Sequence, residues 1–201
     1  FAFFIILFAM HLYNRNLPKK ILSWYDNNKR RLPWRISKKS KKNQYYRILS
    51  EFMLQQTQVK TVIPYFNNFV KKVPSLKVLS KINEKKVLKL WEGLGYYSRA
   101  RNLHKTAKII TKKYNGEIPD SFVKLKELPG IGDYTANILL ALIYNHPRIA
   151  IDANVKRVFS RLFNTNKYEE VRFFKTNRNA DLAEALMEFG AVICKPKEPK
   201  C

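Results

Sequence analysis

Three groups of residues in this sequence could do chemistry. The first is Leu128-Pro129-Gly130-Ile131-Gly132-Asp133-Tyr134-Thr135-Ala136. Pro129 lacks an N–H and restricts the residue before it, so a short helical turn over Val123 to Glu127 stops there. Gly130 and Gly132 permit positive φ and put no Cβ in the way of an approaching group. Asp133 has the side chain of an N-cap, and the apolar run from Ala136 to Tyr144 continues as helix. Such a turn aims backbone N–H groups and a helix dipole at one spot, which suits a phosphate. A plain Pro-Gly turn between packed helices is the alternative. Two spaced glycines in a very basic chain favour the phosphate.

The second group is carboxylates. Asp152 follows the apolar helix. Glu51 lies on a helix spanning Tyr45 to Gln56, whose apolar face is Ile48, Leu49, Phe52 and Met53. A glutamate beside such a face either points to solvent or is a functional acid, and helix pattern alone favours solvent. If buried, its ionised form is disfavoured and it becomes a usable general acid. The third group is Cys194 and Cys201, the two cysteines of the chain. They are free thiols or part of a metal loop, and no disulfide scaffold is expected from so few.

The elements that must position these groups read as helices. Ile21, Leu22 and Tyr25 share a helical face within Asn14 to Arg31. Amphipathic helices follow over Thr57 to Val73, Glu84 to Trp91, Arg99 to Tyr114, Asn154 to Phe163 and Asp181 to Gly190. Pro64 is expected in the first turn of a helix, and the Lys/Ser run Ser37 to Asn43 as a solvated loop. Asn115-Gly116 ends a helix and Pro119-Asp120-Ser121 opens the next turn. Gly93-Leu94-Gly95-Tyr96-Tyr97 is a flexible turn whose aromatics either insert into a base stack or simply pack. No strand pattern or long repeat stands out, so the class is all-α.

Composition narrows the partners. The 201 residues suffice for one large domain or two lobes with a proper core. Lys and Arg number 39 against 15 Asp and Glu, a net charge of +24. That excess predicts a polyanionic partner; an anionic membrane surface is the competitor, and codon bias toward Lys inflates the count. Phe1 to Met10 is apolar but shorter than the roughly 20 residues of a spanning helix. It reads as translated upstream sequence or a fragment edge, with a membrane anchor as the minority view.

Four stretches, in order, carry a family resemblance. Leu49-Ser50-Glu51-Phe52-Met53-Leu54-Gln55-Gln56-Thr57-Gln58-Val59 and Gly93 to Leu103 closely resemble the signature of the MutY family. Leu128 to Ala136 resembles the helix–hairpin–helix of the superfamily that includes endonuclease III, and Ala150 to Val158 its catalytic-aspartate segment. The likeness runs from about Trp24 to Cys201. It implies an adenine DNA glycosylase of base-excision repair, acting on adenine opposite 8-oxoguanine or guanine in duplex DNA. It implies that Glu51 protonates adenine and that Asp152 stabilises or captures the cationic sugar. Tyr134 and Asn154 would line the site; Gln55, Gln56, Tyr96, Gly130, Gly132 and Lys156 would meet DNA.

In the endonuclease III branch the position of Tyr134 is a lysine, whose amine adds lyase chemistry; tyrosine favours base release alone. Lys156 more plausibly meets a phosphate, though it is an amine near the site. A bifunctional glycosylase/lyase and a truncated, inactive DNA-binding module are the competing readings. Cys194 and Cys201 match the first two ligands of the superfamily's 4Fe–4S loop, so the chain is expected to be an N-terminal fragment with half of that loop. The expected organisation is residues 1–13 outside the fold, a helical barrel lobe over 36–145, and a second lobe from 14–35 with 146–201. Glu51, Asp152 and the hairpin should face a shared cleft. Gly130→Asp should weaken duplex binding without unfolding the chain. The segment 164–179 is shorter than the family's usual connection. A monomer in the bacterial cytoplasm, at the nucleoid, with no obligate protein partner and no membrane, completes the expectation.

Overall fold

The computed structural model describes residues 16–36, 40–164 and 176–200. Phe1 to Met10, most of the 164–179 segment and Cys201 fall outside the described residues. Helix α1 covers 16–28. It is followed by α2 (Lys41–Leu54), α3 (Val59–Lys72), α4 (Leu76–Lys81), α5 (Glu84–Trp91), α6 (Ser98–Lys113), α7 (Phe122–Lys126), α8 (Asp133–Tyr144), α9 (Ala153–Phe163) and α10 (Asn179–Val192). No strand occurs among the described residues. The chain divides into two compact units, one over Arg31–Leu139 and one from the segments on either side of it. No described helix is long and apolar enough to cross a membrane.

In the Arg31–Leu139 unit, α2 buries Tyr45, Ile48, Leu49, Phe52 and Met53, a three- and four-residue spacing that makes one face. That face meets Val62, Phe66 and Phe69 of α3 and Leu103, Ala107 and Ile110 of α6. Edge-on aromatic pairs join Trp34 and Tyr46 to Phe66, at 5.3 and 5.1 Å between centroids, and Phe69 to Trp91 at 6.2 Å. Phe52, Phe66 and Phe69 are fully buried, which stabilises by roughly 1.5–3 kcal/mol each. The Tyr45 hydroxyl donates to Val73 O at 2.6 Å, and burial raises its pKa well above the ordinary tyrosine value.

Two expectations are corrected in this unit. The Lys/Ser run is not a loop throughout. Ser40 caps α2 by accepting from Asn43 N–H at 3.1 Å, and helix begins at Lys41. A serine N-cap satisfies a donor that lysines cannot, which is why the helix starts inside a charged run. Pro64 lies inside α3, beyond its first turn.

In the other unit, Leu17, Ile21, Leu22 and Tyr25 of α1 pack with Val155, Val158 and Phe159 of α9 and Leu182, Ala185 and Leu186 of α10. Trp24 meets Phe189 edge-on at 5.1 Å. Buried acids are paired. Tyr25 donates to Glu184 at 2.8 Å, and Arg30 grips Glu188 through two bonds of 2.5 and 3.0 Å. Removing one partner of such a buried pair would strand a charge.

Candidate functional site

The hairpin is built between α7 and α8. Ser121 caps α7, Leu128 O accepts from Ile131 N–H at 3.1 Å, and Gly132 O accepts the first α8 bond, from Ala136 N–H at 2.9 Å. Gly132 therefore holds the N-cap position, and Asp133 is the first helical residue rather than the cap. Its carboxylate pairs with Lys126, which offsets the negative charge it brings to the α8 N-terminus. The leading N–H groups of α8 have no acceptor within the helix, as in any helix, and lie at the positive end of its dipole.

Neighbouring helices fix the turn. Thr106 of α6 donates its hydroxyl to Pro129 O at 2.9 Å, and Gln55 at the end of α2 donates to Gly130 O at 3.4 Å. Gly130 has φ +80, and a Cβ there would lie 2.8 Å from a Phe52 ring carbon and 2.9 Å from Asn102 Cβ. Any side chain at Gly130 thus strains the fold, so Gly130→Asp is expected to cost stability as well as affinity. Gly132 has nothing within 4 Å of its Cβ position and is the open side of the turn.

Glu51 is buried at 9% exposure, between Ser50 and the fully buried Phe52. Arg47, one turn earlier on α2, is buried as well. Tyr134 is half-buried in the first turn of α8. Gln55 caps the end of α2; Gln56 and Tyr96 are exposed and hold φ of +55 and +48. Left-handed backbone costs a non-glycine residue about 1–3 kcal/mol, so both are held by their surroundings. All of these belong to the Arg31–Leu139 unit.

Asp152, Asn154 and Lys156 belong to the other unit. Asp152 is the N-cap of α9: Oδ1 accepts from Val155 N–H at 2.7 Å and Oδ2 from Asn154 Nδ2 at 2.9 Å. Both oxygens are fixed beside the positive end of a helix dipole. Asn154 Oδ1 accepts from Arg157 at 2.8 Å, and the same guanidinium donates to Gly190 O at 2.7 Å and Cys194 O at 2.6 Å. A Cβ on Gly190 would stand 2.6 Å from Asn154 Cβ, so only glycine lets α10 come this near to the start of α9. Lys156 is exposed. Sequence reading singled out Asp152 and Asn154 but not Arg157, whose place one turn beyond Asn154 was the available signal.

The Cys194 thiol is buried, with the Arg161 guanidinium 3.4 Å from its sulfur. Arg161 also donates to Lys195 O and Pro196 O, at 2.7 and 3.2 Å. A 4Fe–4S cluster needs four thiolates, and this sequence has two cysteines. Among the described residues no group of three or more His, Cys, Asp or Glu could hold a metal ion. The described residues therefore do not supply a donor set for the cluster.

An all-helical chain with a glycine hairpin opening one helix and a capping aspartate opening another has the fold of the helix–hairpin–helix DNA glycosylases. The structure of a thermostable thymine-DNA glycosylase superposes with a TM-score of 0.83 at 24% identity, covering 96% of this chain and 93% of that one. Residues 49–178 match the family HhH-GPD, described as "HhH-GPD superfamily base excision DNA repair protein", and the chain belongs to that family. It is similar to an adenine DNA glycosylase of Buchnera aphidicola subsp. Baizongia pistaciae, 44% identical over 90% of this chain and 54% of that protein. The adenine DNA glycosylase of Rattus norvegicus is 36% identical over 91% of this chain and 39% of its own length. The chain thus spans about half the length or less of these curated relatives.

Proposed function

We propose that this chain is the catalytic part of a DNA glycosylase that releases adenine mispaired with 8-oxoguanine or guanine in duplex DNA. The observation that carries the reading is the burial of Glu51, a residue whose helix pattern alone would send it to solvent. The adenine DNA glycosylases to which the chain is similar support the choice of base.

Releasing a purine breaks the bond between C1′ of the sugar and the base. The base first leaves the stack. Glu51 gives its proton to a ring nitrogen of adenine, so the base departs neutral and not as an anion. C1′ is left electron-deficient, and the fixed Asp152 carboxylate stabilises or captures it. Water then adds at C1′ and loses a proton, leaving an abasic site. Tyr134 lines the base pocket and supplies no amine, so no Schiff base forms there. Asn154 holds Asp152. The hairpin at Gly130 and Gly132 and the exposed Lys156 take phosphates, while Gln55, Gln56 and Tyr96 meet the duplex beside the extruded base. Cys194 and Cys201 would be two of the four thiolate ligands if a 4Fe–4S cluster is bound. The partner is duplex DNA, met by a monomer.

The test is single-turnover adenine release from a duplex with adenine opposite 8-oxoguanine, with borohydride added in a parallel reaction. Free adenine with no trapped adduct is expected. A covalent adduct would point to a lyase. Tight duplex binding with no release of any base would leave only a binding module.

A further inference from the structure

Arg99, near the start of α6, is a buried cation with an unusual set of partners. One terminal nitrogen donates to Phe52 O at 3.3 Å, to Met53 O at 2.8 Å and to Gln55 O. The other donates to Leu94 O at 3.4 Å and Gly95 O at 3.2 Å. Among the described residues no carboxylate pairs with it. The charge is met by the carbonyl end of α2, the negative pole of that helix, and by the Trp91 and Tyr96 rings, whose centroids lie 5.6 and 5.4 Å away. Burial pulls the Arg99 pKa below the ordinary arginine value, so the arrangement costs stability that an apolar residue would not. What the guanidinium supplies instead is a rigid fork.

The fork lands on two particular peptides. The Gln55 carbonyl belongs to the peptide leading into Gln56, and the Gly95 carbonyl to the peptide leading into Tyr96. Gln56 and Tyr96 are the two exposed left-handed residues described above, and Tyr96 is 61% exposed. Trp91 Nε1 adds a bond to Gly95 O at 3.1 Å, and Thr57 Oγ1 one to Gln55 O at 3.4 Å. We infer that Arg99 is a positioning residue that locks the Gln56 turn and the Tyr96 turn into one two-pronged element, which meets the duplex as a unit. The duplex part of this inference rests on the proposed function; the locking does not.

Two measurements on the full chain separate these parts. Without DNA, Arg99→Lys keeps the charge, but a single ammonium cannot reach both sets of carbonyls. Amide hydrogen exchange should rise about tenfold or more at residues 55–57 and 94–97 together, with α3 unchanged. A rise at one turn only, or at neither, overturns the lock. With DNA, Gln56→Ala and Tyr96→Ala are combined in a double-mutant cycle, read as the fluorescence gain of 2-aminopurine replacing the target adenine. The two effects should depart from additivity by about fivefold or more in the Arg99 chain and become additive in Arg99→Lys. Additivity in the Arg99 chain overturns the unit, and it decides the matter alone if Arg99→Lys does not fold. If the chain fails to bind duplex at all, the proposed function falls, while the exchange result still decides the role of Arg99.

Discussion

Asn154 holds Asp152 Oδ2 at 2.9 Å with its amide nitrogen while its amide oxygen accepts from Arg157 at 2.8 Å. One side chain therefore orients the carboxylate and ties it to the guanidinium that grips Gly190 O and Cys194 O. Asn154→Ala should remove both bonds. The Asp152 carboxylate would keep its bond from Val155 N–H, so α9 should still be capped. The expected cost in a urea melt is about 1–3 kcal/mol. Adenine release should fall far more than stability does, because Asp152 Oδ2 loses the partner that orients it. Equal losses of folded fraction and of rate would mean that Asn154 only stabilises the fold.

Glu51→Gln should bind duplex as the parent does and release adenine about 10²–10⁴-fold more slowly, the usual worth of general acid catalysis. Glutamine is nearly isosteric, so the packing beside Ser50 and Phe52 should persist. Single-turnover release with saturating protein isolates the chemical step. A rate equal to that of the parent would remove Glu51 from the reaction.

The two hairpin glycines should behave differently. Gly132→Asp meets no atom within 4 Å of its Cβ and should leave thermal melting nearly unchanged. It places a negative charge where a phosphate would sit, so duplex affinity should drop and the slope of log affinity against log salt should flatten by about one contact. Gly130→Asp should also lose stability, because its φ is +80 and its Cβ would press on Phe52 and Asn102. Fluorescence anisotropy over a salt series, paired with melting curves, checks both. Unchanged affinity in Gly132→Asp would make the turn purely structural.

Much of this arrangement can be read from the chain. The face of α2 follows from apolar residues three and four apart, and the hairpin from Pro129 with its two glycines. Side-chain burial at the edge of a face is harder. Glu51 sits next to the apolar stripe, where helical spacing favours solvent, and its burial comes from packing that spacing does not encode. Arg99 is one of 39 basic residues, and nothing local marks it as buried. Its partners lie on α2 and on the Leu94-Gly95 turn, so its role exists only after folding. Helix α4 has six residues, too few for a repeating pattern; its local signal is Ser75, which accepts from Val78 N–H at 3.2 Å. Helix α8 starts at Asp133, as the chain's local signals indicate, but the Asp133 carboxylate pairs with Lys126, a partner that lies seven residues back and is set by the hairpin.

His104 should make stability depend on pH. It is fully buried on α6, and its Nε2 lies 3.0 Å from Ile82 O. A carbonyl can only accept, so Nε2 carries the proton and Nδ1 is bare. Nδ1 has no hydrogen-bond partner among the described residues. A second proton would put a charge in a dry site, and this desolvation is the largest cause pulling the His104 pKa below its ordinary value of 6.5. Lys108, one turn on, adds repulsion; the Ile82 carbonyl and Glu84 oppose the shift without reversing it. The folded pKa is thus below the unfolded one. Between the two values the unfolded chain binds more protons, so stability rises with pH there. The contribution is complete above about pH 6.5 and is lost as pH falls from there through the folded value. One proton limits its slope to about 1.4 kcal/mol per pH unit. His104→Gln keeps a donor for Ile82 O and cannot take a proton. Urea melts of both chains from about pH 5 to about pH 8 should show a steeper acid-side loss for the histidine chain. Parallel curves would show that the acid sensitivity comes from other groups and that His104 is silent.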